Sequence, residues 1–238
     1  YTESFSKNVV DNFTQMYAQG LTPNPCVECN RSVKFDHFIN QAKKLNCDKV
    51  ATGHYAKIIK NNDKYELHKA DYLDKDQSYV LHMLKSSDLE NITFPLGEIS
   101  KPDVRQIAAR IGLKTAFKKD SQDICFVGKK DYRSFVEKRI DLTSPGEIFD
   151  IEGNKVGDHN GIHEFTVGQR KGLPGGYGTP RYVTKINVQN KNVTIGEKKD
   201  LLVSSFIVEE LSFVNDLEYK NLTIQTRYNS EDLPCEIK

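Results

Sequence analysis

Apolar residues along the 238-residue chain change their period as the chain proceeds, and each change marks a change of architecture. After Asn30, the residues Phe35, Phe38, Ile39, Ala42 and Leu45 recur at the three- and four-residue spacing of one helical face, with Asn46 as the stop. DKVATGHYAKII then reads as a strand whose apolar run breaks at Thr52-Gly53-His54. KNNDKYELHKA turns back at Asn61-Asn62-Asp63, which predicts a hairpin. In SKPDVRQIAARIGL, Ser100 and Asp103 form a capping-box-like pair and Pro102 suits the first turn. Val104, Ile107, Ala108 and Ile111 share a face there, and Gly112 closes the helix.

From about Pro145 the texture becomes short strands punctuated by glycine, and RYVTKINVQNKNVTIGE alternates around a turn at Asn190-Lys191-Asn192. Beyond Leu201, SSFIVEELSF and NLTIQTRY continue as strands. The pattern therefore predicts an α/β front over residues 1–133, a small mixed α/β domain over 134–199 and an all-β tail over 200–238. No internal repeat or low-complexity segment interrupts it. The start at Tyr1 and the strand-like last stretch read as a chain cut at both ends.

Composition narrows the class. Hydrophobic residues make up 37% and charged residues 28%, as in globular proteins. No apolar run approaches the roughly 18 residues that span a bilayer, and YTESFSKNVV lacks the order of a signal peptide. A cytoplasmic protein with five cysteines held mainly as thiols is the expectation. With 34 basic and 33 acidic residues the net charge is +1, so any nucleic-acid contact has to be local. Lys118-Lys119, Lys129-Lys130 and Arg170-Lys171 are the local basic runs, although such runs are more often solvated faces.

The chemistry gathers at TPNPCVECNRSVKF, where Cys26 and Cys29 form a Cys-x-x-Cys. Structural zinc needs two more ligands at close spacing, and Cys47, Cys125 and Cys235 stand isolated. A redox pair ahead of a helix is chemically reasonable, but the Asn-Pro lead-in and the absence of tryptophan do not match a thioredoxin-type motif. Two small core thiols at a turn remain the plain alternative. Cys125, in KKDSQDICFVG, reads either as a buried strand residue between Ile124 and Phe126 or as a thiolate in a basic setting.

Six blocks in order, TPNPCVECNRSVKF, ATGHYA, DKDQSYVLHML, FPLGEISKPDVRQIA, KKDSQDICFVG and HEFTVGQRKGL, resemble the tRNA-specific 2-thiouridylases over nearly the whole chain. The resemblance implies an adenine-nucleotide alpha-hydrolase-like, Rossmann-like catalytic domain, a small central domain and a truncated β-barrel. It implies an enzyme that uses ATP and Mg²⁺ to activate the C2 oxygen of the wobble uridine of tRNA, and a cysteine persulfide to replace that oxygen with sulfur. By resemblance, Cys125 is the persulfide carrier and Cys29 its partner nucleophile. Asn24, Pro25 and Cys26 fall at target-base positions, and Gly53 falls at a nucleotide position. His54, Lys75, Asp76, Gln77, Arg227 and Tyr228 fall at tRNA-contacting positions. A persulfide donor or relay protein is the implied second partner. Gln169-Arg170-Lys171 is a further candidate hold on an RNA phosphate. The readings set against this one are a non-catalytic RNA-binding module and a thiol-disulfide oxidoreductase.

Two departures stand out. Cys26 occupies a position that is Asp in some relatives, and a thiol with an ordinary pKa near 8.5 is a different proton donor. The family's Ser-Gly-Gly-x-Asp-Ser nucleotide loop is not among these residues, so a fragment lacking that part of the ATP domain is expected, inactive by itself.

Overall fold

In chain order the helices are α1 (Thr2–Phe5), α2 (Asn12–Ala18), α3 (Pro25–Glu28), α4 (Asp36–Lys44), α5 (Ser86–Leu89), α6 (Lys101–Arg110) and α7 (Tyr132–Glu137). The strands are β1 (Val50–Ala51), β2 (Ala56–Asn61), β3 (Lys64–Lys69), β4 (Ile92–Thr93), β5 (Gly146–Phe149), β6 (Lys155–His159), β7 (Tyr182–Asn187), β8 (Asn192–Gly196), β9 (Thr223–Ile224) and β10 (Leu233–Pro234). This is a computed structural model that describes residues 2–119, 124–128, 131–140, 144–215, 221–228 and 230–237. The chain divides into two units, Cys26–Asp120 with Glu210–Lys238, and Tyr1–Pro25 with Ser121–Glu209. None of the described helices is long and apolar enough to cross a membrane.

In the first of these units, β1 and β4 pair in parallel with Val50 opposite Ile92 and Ala51 opposite Thr93. β2 and β3 form the expected hairpin, in register from Ala56 opposite Lys69 to Asn61 opposite Lys64. Its turn places Asn62 at φ 55°, a left-handed conformation that asparagine tolerates better than most residues. Phe35, Ile39, Leu81, Leu89, Ile92 and Phe94 are buried together and tie helix, strands and loops into one core. Each such side chain contributes about 1.5–3 kcal/mol by leaving water. Gly97 lies where a Cβ would meet the Ala56 carbonyl oxygen at 2.1 Å, so the turn after Phe94 closes on β2 only with glycine.

The helix after Asn30 begins earlier than its apolar period suggests. A helical run starts at Pro25, widens into a π-helical stretch over Cys29–Phe35 and continues as α4. Asn46, at φ 53°, ends it as expected, but Leu45 is exposed. On α6 the cap is as read: the Asp103 backbone N–H donates to Ser100 Oγ at 3.2 Å. The apolar face is not covered among the described residues, since Ile107 is 37% and Ile111 65% exposed. Periodicity tells which residues share a face and says nothing of what covers it.

The other unit has a four-stranded sheet in the order β6-β5-β8-β7, with β5 and β8 parallel and the remaining pairs antiparallel. Ile148, Phe165, Val183, Val193 and Ile195 form its core. Lys191, at φ 57°, makes the β7–β8 turn where the sequence places it. A second cluster joins Phe13 and Tyr17 of α2 to Val127 and to Val136 of α7. His163 is buried nearby in sequence to β6 and its Nε2 lies 3.0 Å from Glu137 Oε1, which ties α7 to the turn at Ile162–Glu164.

The expected all-β tail is much reduced. SSFIVEELSF forms no strand, and Leu202 and Ile207 are 81% and 88% exposed. In NLTIQTRY only Thr223–Ile224 pairs, antiparallel to Leu233–Pro234. Alternating apolar residues favour a strand only where a neighbouring edge exists to satisfy its backbone, and the described residues supply one short partner.

The Ser100 cap yields a direct measurement. Ser100→Ala is expected to lower unfolding free energy by about 1 kcal/mol and Ser100→Gly by only a few tenths. Urea denaturation of both variants checks this, and equal losses would remove the cap bond from the account.

Candidate active site

Pro25 opens α3 at a position where its missing N–H costs no hydrogen bond. It is buried, whereas Asn24 and Cys26 on either side are exposed. Cys29 is half-buried and is the first residue of the π-helical stretch. Such widened turns occur often at functional positions, since they shift side chains off the regular helical register. The widening is seen where the Asp36 N–H donates to the Arg31 carbonyl, five residues back. Asn30, 3% exposed, anchors the stretch: its Nδ2 donates to the Val80 carbonyl at 3.0 Å.

That anchor joins the cysteine helix to Leu73–Leu81, two single-turn 3₁₀ helices flanking Asp76-Gln77. Asp76 accepts from the Ala70 N–H at 2.8 Å through one carboxylate oxygen, and from Ser78 Oγ at 2.6 Å through the other. Gln77 and Tyr55 exchange two bonds, Gln77 N–H to the Tyr55 carbonyl at 2.8 Å and Tyr55 N–H to Gln77 Oε1 at 3.0 Å. Asp76 and Gln77 thus hold the loop's own backbone, while Lys75 beside them is half-buried. Tyr228 is exposed on the same unit, with its ring 6.3 Å from that of Tyr79. Arg227 is exposed, and its backbone is fixed by Ser230 Oγ.

Gly53 and His54 lie just past the C-terminal end of β1, the edge of a parallel sheet where ligands of α/β folds bind. A Cβ on Gly53 would meet only Leu96 Cδ1, at 3.7 Å, so packing within the chain does not demand glycine there. His54 is 8% exposed, between the rings of Phe35 and Phe94, each 5.8 Å away. Its Nδ1 is 2.8 Å from Thr52 Oγ1. Placed so, it supports the loop's shape and offers little surface to an outside partner. Burial, followed by the charge of Lys34, pushes its pKa down to about 4.

In the other unit Cys125 is exposed, at the start of a tight turn that ends with Gly128 at φ 68°. Both the Val127 and the Gly128 N–H groups donate to the Ile124 carbonyl. Phe126 packs its ring 5.3 Å from both Phe13 and Phe135. The strand reading of Ile124-Cys125-Phe126 is therefore corrected to a turn whose flanking apolar side chains are anchors. Lys118 and Lys119 are exposed; Lys129-Lys130, and residues 120–123 of the same block, lie outside the described residues. In the middle of the chain Gln169 serves its own turn, accepting from Thr166 N–H and donating to the Lys171 carbonyl, with Arg170 and Lys171 exposed.

Sequence reasoning passed over Tyr79, His82 and Asn30. The first two stand three apart in SYVLHML, one helical face, and that spacing was the signal available.

Comparison with known proteins adds the following. A family model described as "tRNA methyl transferase HUP domain" matches residues 1–129. Another, described as "tRNA methyl transferase PRC-barrel domain", matches residues 133–197. A "tRNA-specific 2-thiouridylase MnmA" of Chloroflexus aurantiacus is 43% identical over 242 residues, covering 100% of this chain and 67% of that protein. Proteins of the same name from Leptospira interrogans and Rickettsia prowazekii are 42% and 41% identical, over 98% and 99% of this chain and 63% and 66% of their own. The chain thus spans about two thirds of the length of these relatives.

The buried histidine sets a pH dependence. Between about pH 6.5 and 4 the unfolded chain takes up a proton at residue 54 that the folded chain refuses, so His54 lowers stability as pH falls through that window. Nuclear magnetic resonance should find the His54 imidazole titrating near pH 4, and a midpoint above 6 would contradict its burial.

Proposed function

The chain belongs to the tRNA-specific 2-thiouridylase family, and from that premise we propose that it carries out sulfur transfer to C2 of a wobble uridine in tRNA. The reading rests above all on 41–43% identity maintained over nearly the whole chain. The matched family models carry a methyl-transferase description. The named relatives are aligned over more of the chain than either model, and the two cysteine-bearing segments suit sulfur chemistry.

A uracil C2 oxygen leaves only when made into a good leaving group. Bound ATP would supply the adenylyl group that does so, with AMP as product and Mg²⁺ as companion of the phosphates. Gly53 is the described residue best placed for the nucleotide, past the end of β1, where a Cβ would meet only Leu96 in ordinary contact. The base must leave the stack for C2 to be reached, and Asn24 and Cys26, exposed on either side of buried Pro25, are the proposed surface that receives it. Lys75, Arg227 and Tyr228 would hold the surrounding RNA, with Asp76 and Gln77 shaping the loop that presents Lys75. His54 packs between Phe35 and Phe94 beside Tyr55, which makes the bonds to Gln77.

Cys125, exposed at its turn, is the proposed acceptor of sulfur from a persulfide donor. Its terminal sulfur attacks C2, forming a C–S bond as the activated oxygen departs. The Cys29 thiolate then attacks the Cys125 sulfur, breaking the S–S bond to the base. This releases 2-thiouridine and leaves a Cys29–Cys125 disulfide, which an external thiol reductant resets. That disulfide requires Cα atoms about 4.4–6.8 Å apart when formed. Reduced thiols at rest suit a cytoplasmic setting.

In the intact protein, supplied with tRNA, ATP, Mg²⁺ and a persulfide donor, Cys29→Ser and Cys125→Ser are expected to abolish thiouridine while Cys26→Ser keeps part of the activity. Mass spectrometry of digested tRNA measures this, and an active Cys125→Ser enzyme sinks the assignment. A protein that binds tRNA but leaves it unmodified in every form would favour the binding-module reading. For the RNA side, Lys75→Ala should weaken tRNA binding at low salt and reduce the slope of log K against log salt by about one. An unchanged slope removes Lys75 from the phosphate contacts.

A further inference from the structure

Two aromatic rings that none of the assignments above uses, Tyr79 and His82, line a cleft beside the Tyr228 ring already placed on the RNA side. The cleft has a volume of about 590 Å³ and is bordered by Lys69, Ser78, Tyr79, His82, Ser212 and Gln225. Tyr79 stands at the centre, with the ring of His82 6.2 Å away at 58° and that of Tyr228 6.3 Å away at 55°. Tyr79 and His82 both border the cleft, so a flat ring entering it meets both. His82 and Tyr228 are exposed, and Tyr79 is half-buried.

The rings are held in place. Tyr79 Oη donates to the Thr226 carbonyl at 3.4 Å, which ties the 3₁₀ turn to the segment carrying Tyr228. His82 Nδ1 is 2.8 Å from the Tyr79 carbonyl. A carbonyl only accepts, so Nδ1 carries the proton in the neutral ring and Nε2 is left as an acceptor. Charge contributes little, because Lys69 Nζ is already paired with Asp232 at 2.7 Å. A site with aromatic faces, a few polar groups and little net charge recognises a flat polar ring better than a phosphate.

We propose that Tyr79 and His82, together with Tyr228, form a stacking platform for one unpaired base of the tRNA loop. This rests on the sulfur-transfer reading above and adds to it residues that place the substrate. Unpaired bases splayed from RNA loops are held in this way by aromatic side chains, with affinity that comes from stacking and tolerates any base.

The test compares Tyr79→Leu, Tyr79→Phe and His82→Ala in the intact protein, using substrate tRNA and a set of the same tRNA with single abasic positions across the loop. Tyr79→Leu and His82→Ala should each weaken binding about fivefold to a hundredfold, as loss of one stacked base does. Tyr79→Phe keeps the ring and should bind nearly as the parent, and the salt slope should be the same in all of them. One abasic position should weaken the parent and leave Tyr79→Leu no weaker than before, the coupling expected of groups in contact. The inference is overturned if both ring-removing variants bind as the parent does, or if Tyr79→Leu loses equal affinity for every abasic tRNA. A parent protein that binds tRNA tightly yet makes no thiouridine overturns the sulfur-transfer reading and leaves the platform standing; one that fails to bind tRNA overturns both.

Discussion

The Asp76 carboxylate is the point on which the presented loop depends. With one oxygen on the Ala70 N–H and the other on Ser78, it closes the chain between β3 and the turn at Ser78–Leu81 into a fixed shape. An isolated stretch of short 3₁₀ turns has too few internal bonds to hold itself. Once closed, the loop is clamped to the Gly53-His54 segment by the paired bonds between Gln77 and Tyr55. The cysteine-bearing helix is clamped to it in turn by Asn30 on the Val80 carbonyl. Three proposed elements, the nucleotide edge, the RNA-facing loop and the Cys29 helix, thus share one hydrogen-bonded frame.

Local signals carried much of this into the sequence. The Ser100 cap, the Asn46 stop and the turns at Asn62 and Lys191 were all legible, because each depends on a residue's own backbone preference or on a partner three positions away. What was not legible depended on distant partners. Ile107 and Ile111 keep helical spacing and still lie exposed among the described residues. SSFIVEELSF carries a strand-like apolar run and finds no described edge to pair with.

The candidate site divides in the same way. The resemblance located the segments, but residue types alone do not separate a side chain that faces a partner from one that holds the fold. Asp76 and Gln77 are polar and sit in the segment proposed to face RNA, yet their bonds run inward. His54 looks like a surface contact in ATGHYA and is packed between Phe35 and Phe94. Tyr79, which the sequence left unassigned, lines a cleft. Direction is a property of tertiary packing, and a one-dimensional pattern of polar and apolar positions records it only where the period is strict.

The two thiols proposed for the chemistry are held differently, and the difference suits their separate tasks. A sulfur acceptor has to be approached by a bulky donor, and Cys125 stands exposed on a turn whose place is fixed by Phe126 and Val127 in the cluster around Phe13. A resolving thiol needs shelter from adventitious oxidants, since thiolate exposure governs oxidation. Cys29 is half-buried at the start of a widened helical turn, held from behind by buried Asn30. Exchanging the two environments would leave the acceptor out of its donor's reach and the resolving thiol open to solvent. In the proposed reaction, then, exposure suits Cys125 to the first sulfur step and partial burial suits Cys29 to the second.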